Sequence, residues 1–536
     1  MVPRVLVSAT SSSSGKTTVV CALAKAIGRL FSKKTSIVKI GPDYIDPLFH
    51  SKVAGARTGN IDLFFNSVPD AVSVFERDVY GSDLALLEGA MGFYDGVSNS
   101  VEASSFRVAQ ALECPVLLVV DAKGKGVSIC AEVKGIIDLQ RSFEENLLDL
   151  IPKSRFAVLL NRCSKSSFDS LSKKITEVCG VETIGFVEDN PAFFIGSRHL
   201  GLVTPDAVNG LDGKIEALAS SVERTVDFAR LFDLARRSVP LSDRKAVNEE
   251  EELSRKRIAS FVPPVSFVPS VRIAVARDDA FCFYYRENFD MLRFFGAELS
   301  FFSPLRNEPV PDGCSGLYIG GGYPELFWST LLDSRASAFS IRRFCLSGAP
   351  VFAECGGFMY LQMLGVLPGS FEKKDRLVRF GYVELEALED SFLLKKGEKV
   401  RGHEFHYFDS TDNGESFKAA KPNGKTWLCE KIASPECRVK KGCGVQLPSI
   451  EKNIVAGFPH LYFPSNPSVA ENFVDAALFH ASVSASDFAS GSKLCGGCSG
   501  CATCPSRNGG PGCGGCGGCK TAGGTAGGIG EQFSEI

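Results

Sequence analysis

Histidine is scarce in this 536-residue chain, which has six, so chemistry that needs an imidazole has few places to draw on. Net charge is nearly absent. With 59 Lys and Arg against 62 Asp and Glu, the formal charge is −3, which leaves no electrostatic case for nucleic acid or an anionic membrane as a partner. Also missing is any apolar run near the roughly 20 residues that a spanning helix needs. The opening Met1-Val-Pro-Arg-Val-Leu-Val lacks the long apolar segment of a secretion signal, so a cytoplasmic protein is expected. Cysteine is not scarce, at 19. Yet Cys495, Cys498, Cys501, Cys504, Cys513, Cys516 and Cys519 crowd one glycine-rich tail, and the others are scattered through core-like segments. That is the distribution of reduced thiols, not of a disulfide scaffold. Apolar content of 44% and charged content of 23% are those of ordinary globular domains, and the length suggests about two to four of them.

The stretch Pro350-Val-Phe-Ala-Glu-Cys355-Gly-Gly-Phe-Met-Tyr-Leu361 predicts a buried strand that turns sharply into a helix at Cys355. Gly356 and Gly357 would let the backbone pass closely. A helix starting there aims its N–H groups and positive dipole end at the sulfur, which is expected to lower the thiol pKa. Taken alone, the pattern also fits a buried structural cysteine. Upstream, Gly316-Leu-Tyr-Ile-Gly-Gly-Gly322-Tyr-Pro-Glu325 is a strand running into a glycine loop, where Gly321 and Gly322 suit a substrate contact or half of an oxyanion hole. A thiolate nucleophile needs an imidazole in reach. His403 and His406 in Gly-His-Glu-Phe-His and His460 in Gly-Phe-Pro-His are the candidates, and spacing alone does not choose among them.

Near the start, Arg4-Val-Leu-Val-Ser-Ala leads through a serine-rich loop into Ser14-Gly15-Lys16-Thr17-Thr18 and an amphipathic stretch. Strand, small-residue loop and helix form the context of a phosphate-binding loop. Backbone N–H groups of residues 14 to 18 would cradle phosphates, Lys16 would reach the terminal ones, and the Thr17 hydroxyl would bind Mg. Thr10 stands where the motif has its first glycine, so the match is incomplete. The strand ending at Ile40 meets Gly41-Pro-Asp43-Tyr44-Ile-Asp46-Pro, two carboxylates on a stiff turn suited to a metal or a polar substrate. Glu88 ends another apolar strand, before Gly-Ala-Met-Gly-Phe-Tyr-Asp95-Gly, at the sheet edge where ligands bind. Asp43 and Glu88 would join Thr17 around one Mg. Asp121 and Asn161 end two more continuously apolar strands and fit nucleotide-site residues or strand-end caps equally. Asn161 is counted with the nucleotide set.

Alternating strands and helices predict a doubly wound α/β domain over residues 1–240. Residues 241–269, with Glu249 to Glu252, Arg255-Lys-Arg257 and Pro263-Pro264, read as a linker, and the β-α alternation restarts over 270–484. Residues 485–536 read as a disordered Cys/Gly-rich tail whose Cys-x-x-Cys pairs suit a soft or borderline metal ion.

Taken together, Ser-Gly-Lys-Thr-Thr (14–18), Gly-Pro-Asp-Tyr-Ile-Asp-Pro (41–47), Glu-Gly-Ala-Met-Gly-Phe-Tyr-Asp-Gly (88–96), Gly-Gly-Gly-Tyr-Pro-Glu (320–325), Glu-Cys-Gly-Gly (354–357), Gly-His-Glu-Phe-His (402–406) and His460 with Ser-Asn-Pro (465–467) resemble the cobyrinate a,c-diamide synthases. The related nickel-sirohydrochlorin a,c-diamide synthases share the pattern. The resemblance covers about residues 1 to 480. It implies an N-terminal P-loop domain like dethiobiotin synthetase and a C-terminal class I glutamine amidotransferase domain, with Cys355 as nucleophile and His460 as its base. It also implies ATP, Mg, L-glutamine and a tetrapyrrole acid, with amidation through an acyl-phosphate, and it allows a homodimer. Cobyric acid synthase is the runner-up; the single Gly-Pro-Asp-Tyr-Ile-Asp-Pro stretch favours the a,c enzyme. Three departures stand out: Ser13 replaces a usual glycine, Tyr462 stands where many such glutaminases carry glutamate, and the tail has no counterpart.

Overall fold

The computed structural model describes residues 2–55, 57–144, 150–193, 205, 208–241, 269–435 and 452–489. The residues read as a linker, except 241 and 269, and the cysteine-bearing part of the tail lie outside them. Residues Met1–Ala481 make one compact unit, and the chain from Ser482 makes a second. The last helix, Ser468–Ala489, runs past residue 484.

Continuous apolar runs become strands buried on both faces, as parallel strands between helix layers require. In chain order, β1 (Arg4–Ala9), β2 (Thr35–Ile40), β3 (Thr58–Ile61), β4 (Leu84–Glu88), β5 (Val116–Asp121), β6 (Phe156–Asn161) and β7 (Glu182–Phe186) form one parallel sheet in the order β3-β2-β4-β1-β5-β6-β7. Residues 58–61 form the edge strand. Four residues of mixed polarity carry no strand signal, and pairing with β2 supplies it. The topology puts the ends of β1, β2, β4 and β6 along one edge, and with them the phosphate loop, the 41–47 turn, Glu88 and Asn161.

The second half opens with β8 (Val271–Ala276), β9 (Ala297–Phe302), β10 (Gly316–Ile319) and β11 (Val351–Glu354). It continues with β12 (Phe371–Lys373), β13 (Arg379–Ala387), β14 (Lys399–His406), β15 (Phe408–Ser410), β16 (Phe417–Ala420), β17 (Thr426–Cys429), β18 (Lys431–Ala433), β19 (Ile454–Gly457) and β20 (His460–Leu461). A six-stranded sheet runs β18-β19-β11-β10-β8-β9, parallel except at β18. Beside it lies an antiparallel sheet, β17-β16-β13-β14-β20. The alternation expected over 270–484 does not announce this second sheet. Strands such as β13 bury alternate residues only at Val383, Leu385 and Ala387 and carry no continuous apolar run. Among the described residues no helix is long and apolar enough to cross a membrane.

A polar and aromatic seam joins the halves. Arg57 bonds Asp78 at 2.8 Å within its own half and pairs with Asp290 of the other. Asn60 donates its N–H to Glu287 (3.1 Å), Tyr382 its hydroxyl to Asp62 (2.7 Å), and Arg401 its guanidinium to the Phe64 carbonyl (2.7 Å). Phe65, Tyr285 and Tyr462 form a small apolar core within it. Burial, with Asp78 adding, pushes the Glu287 carboxyl up to about 7, so Arg57 offsets a concentration of acid. Removing one partner of a buried ion network costs more than the network contributes, because charge is left uncompensated. Arg57→Ala is therefore expected to destabilise the protein by about 3 kcal/mol, read as a fall in the calorimetric melting temperature, and Arg57→Ala with Asp290→Asn to regain part of it. A change no larger than that of an exposed pair would mean the seam is not locked electrostatically.

Candidate active site

Helix α1 (Lys16–Phe31) begins at Gly15, whose φ of +88° is left-handed, and no side chain caps it. Its first N–H groups are therefore left to the loop and to any anion it receives. A Cβ on Gly15 would stand 2.3 Å from Asn161 Nδ2, and the same Nδ2 donates to the Ser14 carbonyl at 2.9 Å. Asn161 thus packs on the loop and holds it. Ser13, at the position of a usual glycine, takes φ +60°, a conformation that costs a residue with a side chain about 1 kcal/mol. Lys16 is buried, donates to the Ser11 carbonyl at 3.0 Å and to that of Met91, and is pushed down to about 8 by burial and then by Lys39.

The Thr17 hydroxyl lies 2.7 Å from Glu88 Oε1 and 3.3 Å from Asp46 Oδ1. Asp46, and not Asp43, meets Thr17. Asp43 Oδ1 accepts the N–H groups of Ile45 (2.8 Å) and Asp46 (3.1 Å) and so holds the start of helix α2 (Ile45–Val53). Sequence reasoning missed two members of this cluster. Lys39 Nζ, on β2, lies 2.8 Å from Glu88 Oε1 and also pairs with Asp46; His50 Nε2, on α2, lies 2.6 Å from Glu88 Oε2. A lysine inside an apolar strand was the available signal for Lys39; His50 had none. Burial works against the Glu88 carboxylate, yet Lys39 and His50 hold it well below the ordinary range. Among the described residues no three His, Cys, Asp or Glu side chains converge as a metal cage. One hydroxyl and two carboxylates fit magnesium nonetheless, since it commonly takes one or two carboxylates and completes its shell with phosphates and water. Asp95 Oδ2 accepts the Gly92 N–H at 2.8 Å, and a Cβ on Gly92 would stand 2.9 Å from the Thr10 carbonyl, so Asp95 shapes the wall facing the phosphate loop. Asp121, by contrast, pairs with Arg162 at its strand end.

In the other half, β11 turns at Cys355, with φ +48° and ψ −104°, into the helix Gly356–Met363. A Cβ on Gly357 would stand 2.2 Å from the Ile319 carbonyl, and one on Gly356 2.8 Å from Pro324, so both glycines are required by close approach. A Cβ on Gly321 would stand 2.2 Å from His460 Cε1 and 3.2 Å from Cys355 Cβ. The His460 ring and the Cys355 Cβ therefore both flank that glycine. Gly320 donates its N–H to the Tyr284 hydroxyl at 2.8 Å, while a Cβ on Gly322 would stand 2.2 Å from the Ala280 carbonyl. The expected lowering of the thiol does not occur. Burial pushes Cys355 well up, Glu325 adds to it, and the Gly356 N–H only partly opposes it. The helix dipole is outweighed because Cys355 is only 5% exposed and the loss of water penalises the thiolate.

His460 is pushed down to about 3 by burial, with His403 and His406 adding. Its Nδ1 has no hydrogen-bond partner among the described residues, and Tyr462 points its hydroxyl toward Asn66 at 3.4 Å instead. Glu354 holds the imidazole's strand: its Oε1 accepts the Leu461 N–H at 2.7 Å and its Oε2 the Tyr318 hydroxyl at 2.6 Å. His403 pairs with His460 in register, and His406 donates Nδ1–H to the Phe408 carbonyl at 2.6 Å and stacks on Phe458. Tyr44 connects the two sites. Its ring lies 4.9 Å from that of His460 and 5.3 Å from that of Phe283, and its hydroxyl is 2.8 Å from that of Tyr285.

Two outcomes follow from this geometry. Gly321→Ala should lower glutamine hydrolysis by at least about 100-fold, because the methyl group displaces His460, and should leave amidation from added ammonium standing; near-normal hydrolysis would show that the two side chains do not meet there. An imidazole with the ordinary value near 6.5 would cost about 16-fold in kcat/KM for glutamine on going from pH 6.5 to 5. With His460 at about 3, the base stays deprotonated and the profile should be flat over that range. An acid limb near pH 6 would contradict a neutral, desolvated His460.

Comparison with known proteins bears on both halves. Residues 5–202 match the CobQ/CobB/MinD/ParA nucleotide binding domain and residues 272–468 the CobB/CobQ-like glutamine amidotransferase domain. Cobyrinate a,c-diamide synthase of Picrophilus torridus is 33% identical over 88% of this chain and 98% of its own, and that of Thermoplasma volcanium 34% over 89% and 98%. That of Dehalococcoides mccartyi strain CBDB1 is 32% identical over 88% and 97%. The chain belongs to the cobyrinate a,c-diamide synthase family, glutamine-hydrolysing ligases that join a nucleotide-binding half to a glutamine amidotransferase half.

Proposed function

We propose that this protein uses ATP to activate the a and c side-chain carboxylates of cobyrinate, or of a closely related tetrapyrrole acid, and amidates them with ammonia released from glutamine at Cys355. Residues 1–240 serve as the synthetase half and 270–484 as the glutaminase. The observation that carries this reading is Tyr44: it belongs to the turn bearing Asp43 and Asp46, and its ring packs on His460 of the other half.

In the first half, the N–H groups of residues 14 to 18 and Lys16 bind the nucleotide phosphates, with Asn161 keeping the loop in shape. Thr17, Asp46 and Glu88 would hold magnesium, which offsets charge on the transferred phosphoryl. A substrate carboxylate oxygen takes that phosphoryl and ADP leaves. Asp43, Tyr44 and Asp95, at the same edge, orient the acid. In the second half, Cys355 Sγ attacks the glutamine side-chain carbon while neutral His460 accepts the thiol proton and passes it to the departing ammonia. The N–H groups of Gly321 and Gly322 face the developing oxyanion, and water hydrolyses the thioester to glutamate. Ammonia then attacks the acyl-phosphate carbon and phosphate leaves. Because the free pair is neutral, glutamine itself must draw the proton across, which ties thiolate formation to substrate arrival.

The test is a pair of variants, with products of a panel of tetrapyrrole acids read by mass spectrometry. Cys355→Ala should abolish glutamine-dependent amidation and retain the ammonium-dependent route. Lys16→Ala should lose both by about 100-fold or more, since activation precedes either nitrogen source. Ammonium-dependent product at the normal rate from Lys16→Ala would remove the phosphate-loop assignment, and glutamine hydrolysis by Cys355→Ala would remove the nucleophile.

A further inference from the structure

The His460 ring has no partner for its Nδ1 among the described residues, yet the backbone that carries it is bonded at each of the three residues that follow. Glu354 Oε1 accepts the Leu461 N–H at 2.7 Å, and Asn288 Nδ2 donates to the Leu461 carbonyl at 2.8 Å. The Arg401 carbonyl accepts the Tyr462 N–H at 2.9 Å, and Asn288 Oδ1 accepts that of Phe463 at 2.8 Å. One amide side chain thus bridges a carbonyl and an N–H two residues apart, matching its donor to the first and its acceptor to the second. Asn288 is fully buried, and a buried amide is kept where its hydrogen bonds are made.

Asn288 belongs to the helix Arg286–Phe294, and the residue before it reaches the other half. Glu287 Oε1 accepts the Asn60 N–H at 3.1 Å. The Asn60 side chain in turn donates from Nδ2 to the carbonyls of Gly41 at 3.0 Å and Asp43 at 2.7 Å. Both amide protons are used, so the turn that carries Tyr44 and Asp46 is held at its first and third residues. Tyr285, at the head of the helix, meets Tyr44 of that turn hydroxyl to hydroxyl at 2.8 Å. Successive helical residues point about 100° apart, which lets Glu287 face β3 while Asn288 faces β20.

We propose that Asn288 and Asn60 are positioning residues, one for each reaction: Asn288 sets the His460 imidazole by fixing its strand, in place of a carboxylate on the ring, and Asn60 sets the turn that orients the acid. The assignment rests on the roles given above to His460 and to residues 41–47. Neither side chain needs to touch substrate, because a reacting group displaced by about 1 Å can cost about 100-fold in rate.

Steady-state kinetics of the full chain separates the two roles. Asn288→Ala should lower kcat for glutamine hydrolysis, measured without acid or ATP, by about 100-fold with KM for glutamine moving less than about two-fold. Its ammonium-dependent amidation of cobyrinate should stay within about two-fold of the parent. Asn60→Ala should do the reverse, with kcat/KM for cobyrinate falling about ten-fold or more from either nitrogen source and glutamine hydrolysis staying within about two-fold. Asn288→Asp keeps the acceptor for Phe463 and loses the donor for Leu461, and Asn60→Ser keeps a single donor. Both should fall between parent and Ala, and they carry the test if an Ala variant does not fold. Loss of both activities together at either position would mark a residue that serves the fold alone and would overturn its assignment. So would an unchanged kcat for glutamine in Asn288→Ala, or an unchanged kcat/KM for cobyrinate in Asn60→Ala. A parent protein that hydrolyses no glutamine or amidates no tetrapyrrole acid would instead overturn the functional reading on which both assignments depend.

Discussion

The contact between Tyr44 and His460 is the one on which the arrangement of the two halves depends. The phenol ring comes from the stiff turn at the edge of the parallel sheet, yet it packs on the imidazole of the other half and on Phe283. Tyr285 receives its hydroxyl. A rigid aromatic ring in that place puts the turn and the imidazole in direct packing contact. The seam bonds around it, from Arg57 to Arg401, keep the halves in the register that the ring needs.

The two sites answer opposite electrostatic demands with the same device, burial. Around Thr17, buried groups are paired: Lys39 bonds both Asp46 and Glu88, and His50 bonds Glu88. Such a preorganised set suits a reaction that moves phosphoryl charge. Around Cys355, burial without a partner removes charge from both thiol and imidazole.

Strained backbone marks both centres. Cys355, Ser13 and Met91 all take positive φ without being glycine. Cys355 is the elbow itself, Ser13 lies in the phosphate loop, and Met91 supplies a carbonyl that holds Lys16. Each strained residue costs about 1 to 3 kcal/mol, a cost that two large buried cores sustain.

Much of this was legible in the sequence because the signals are local. A phosphate loop, an elbow and a glycine-rich turn are stretches of a few residues whose backbone needs small or flexible positions, so residue type alone locates them. Most strands of the parallel sheets are legible for the same reason: burial on both faces leaves them largely apolar, and Lys39 in β2 is an exception that marks the site. What only tertiary structure decided is which groups meet. Asp43 and Asp46 sit three apart, and only the folded turn makes the first an acceptor for the N–H groups at the start of α2 and the second a neighbour of Thr17. Lys39 and His50 join Glu88 through strand pairing and helix packing, and His460 is singled out from three histidines by its position across Gly321. The thiol's upward shift belongs to the same class, since desolvation depends on everything packed around the sulfur, whereas the dipole that opposes it comes from one adjacent helix. Local conformation is written in neighbouring residues, but proximity across the fold and exclusion of water exist only once the chain has closed around the site.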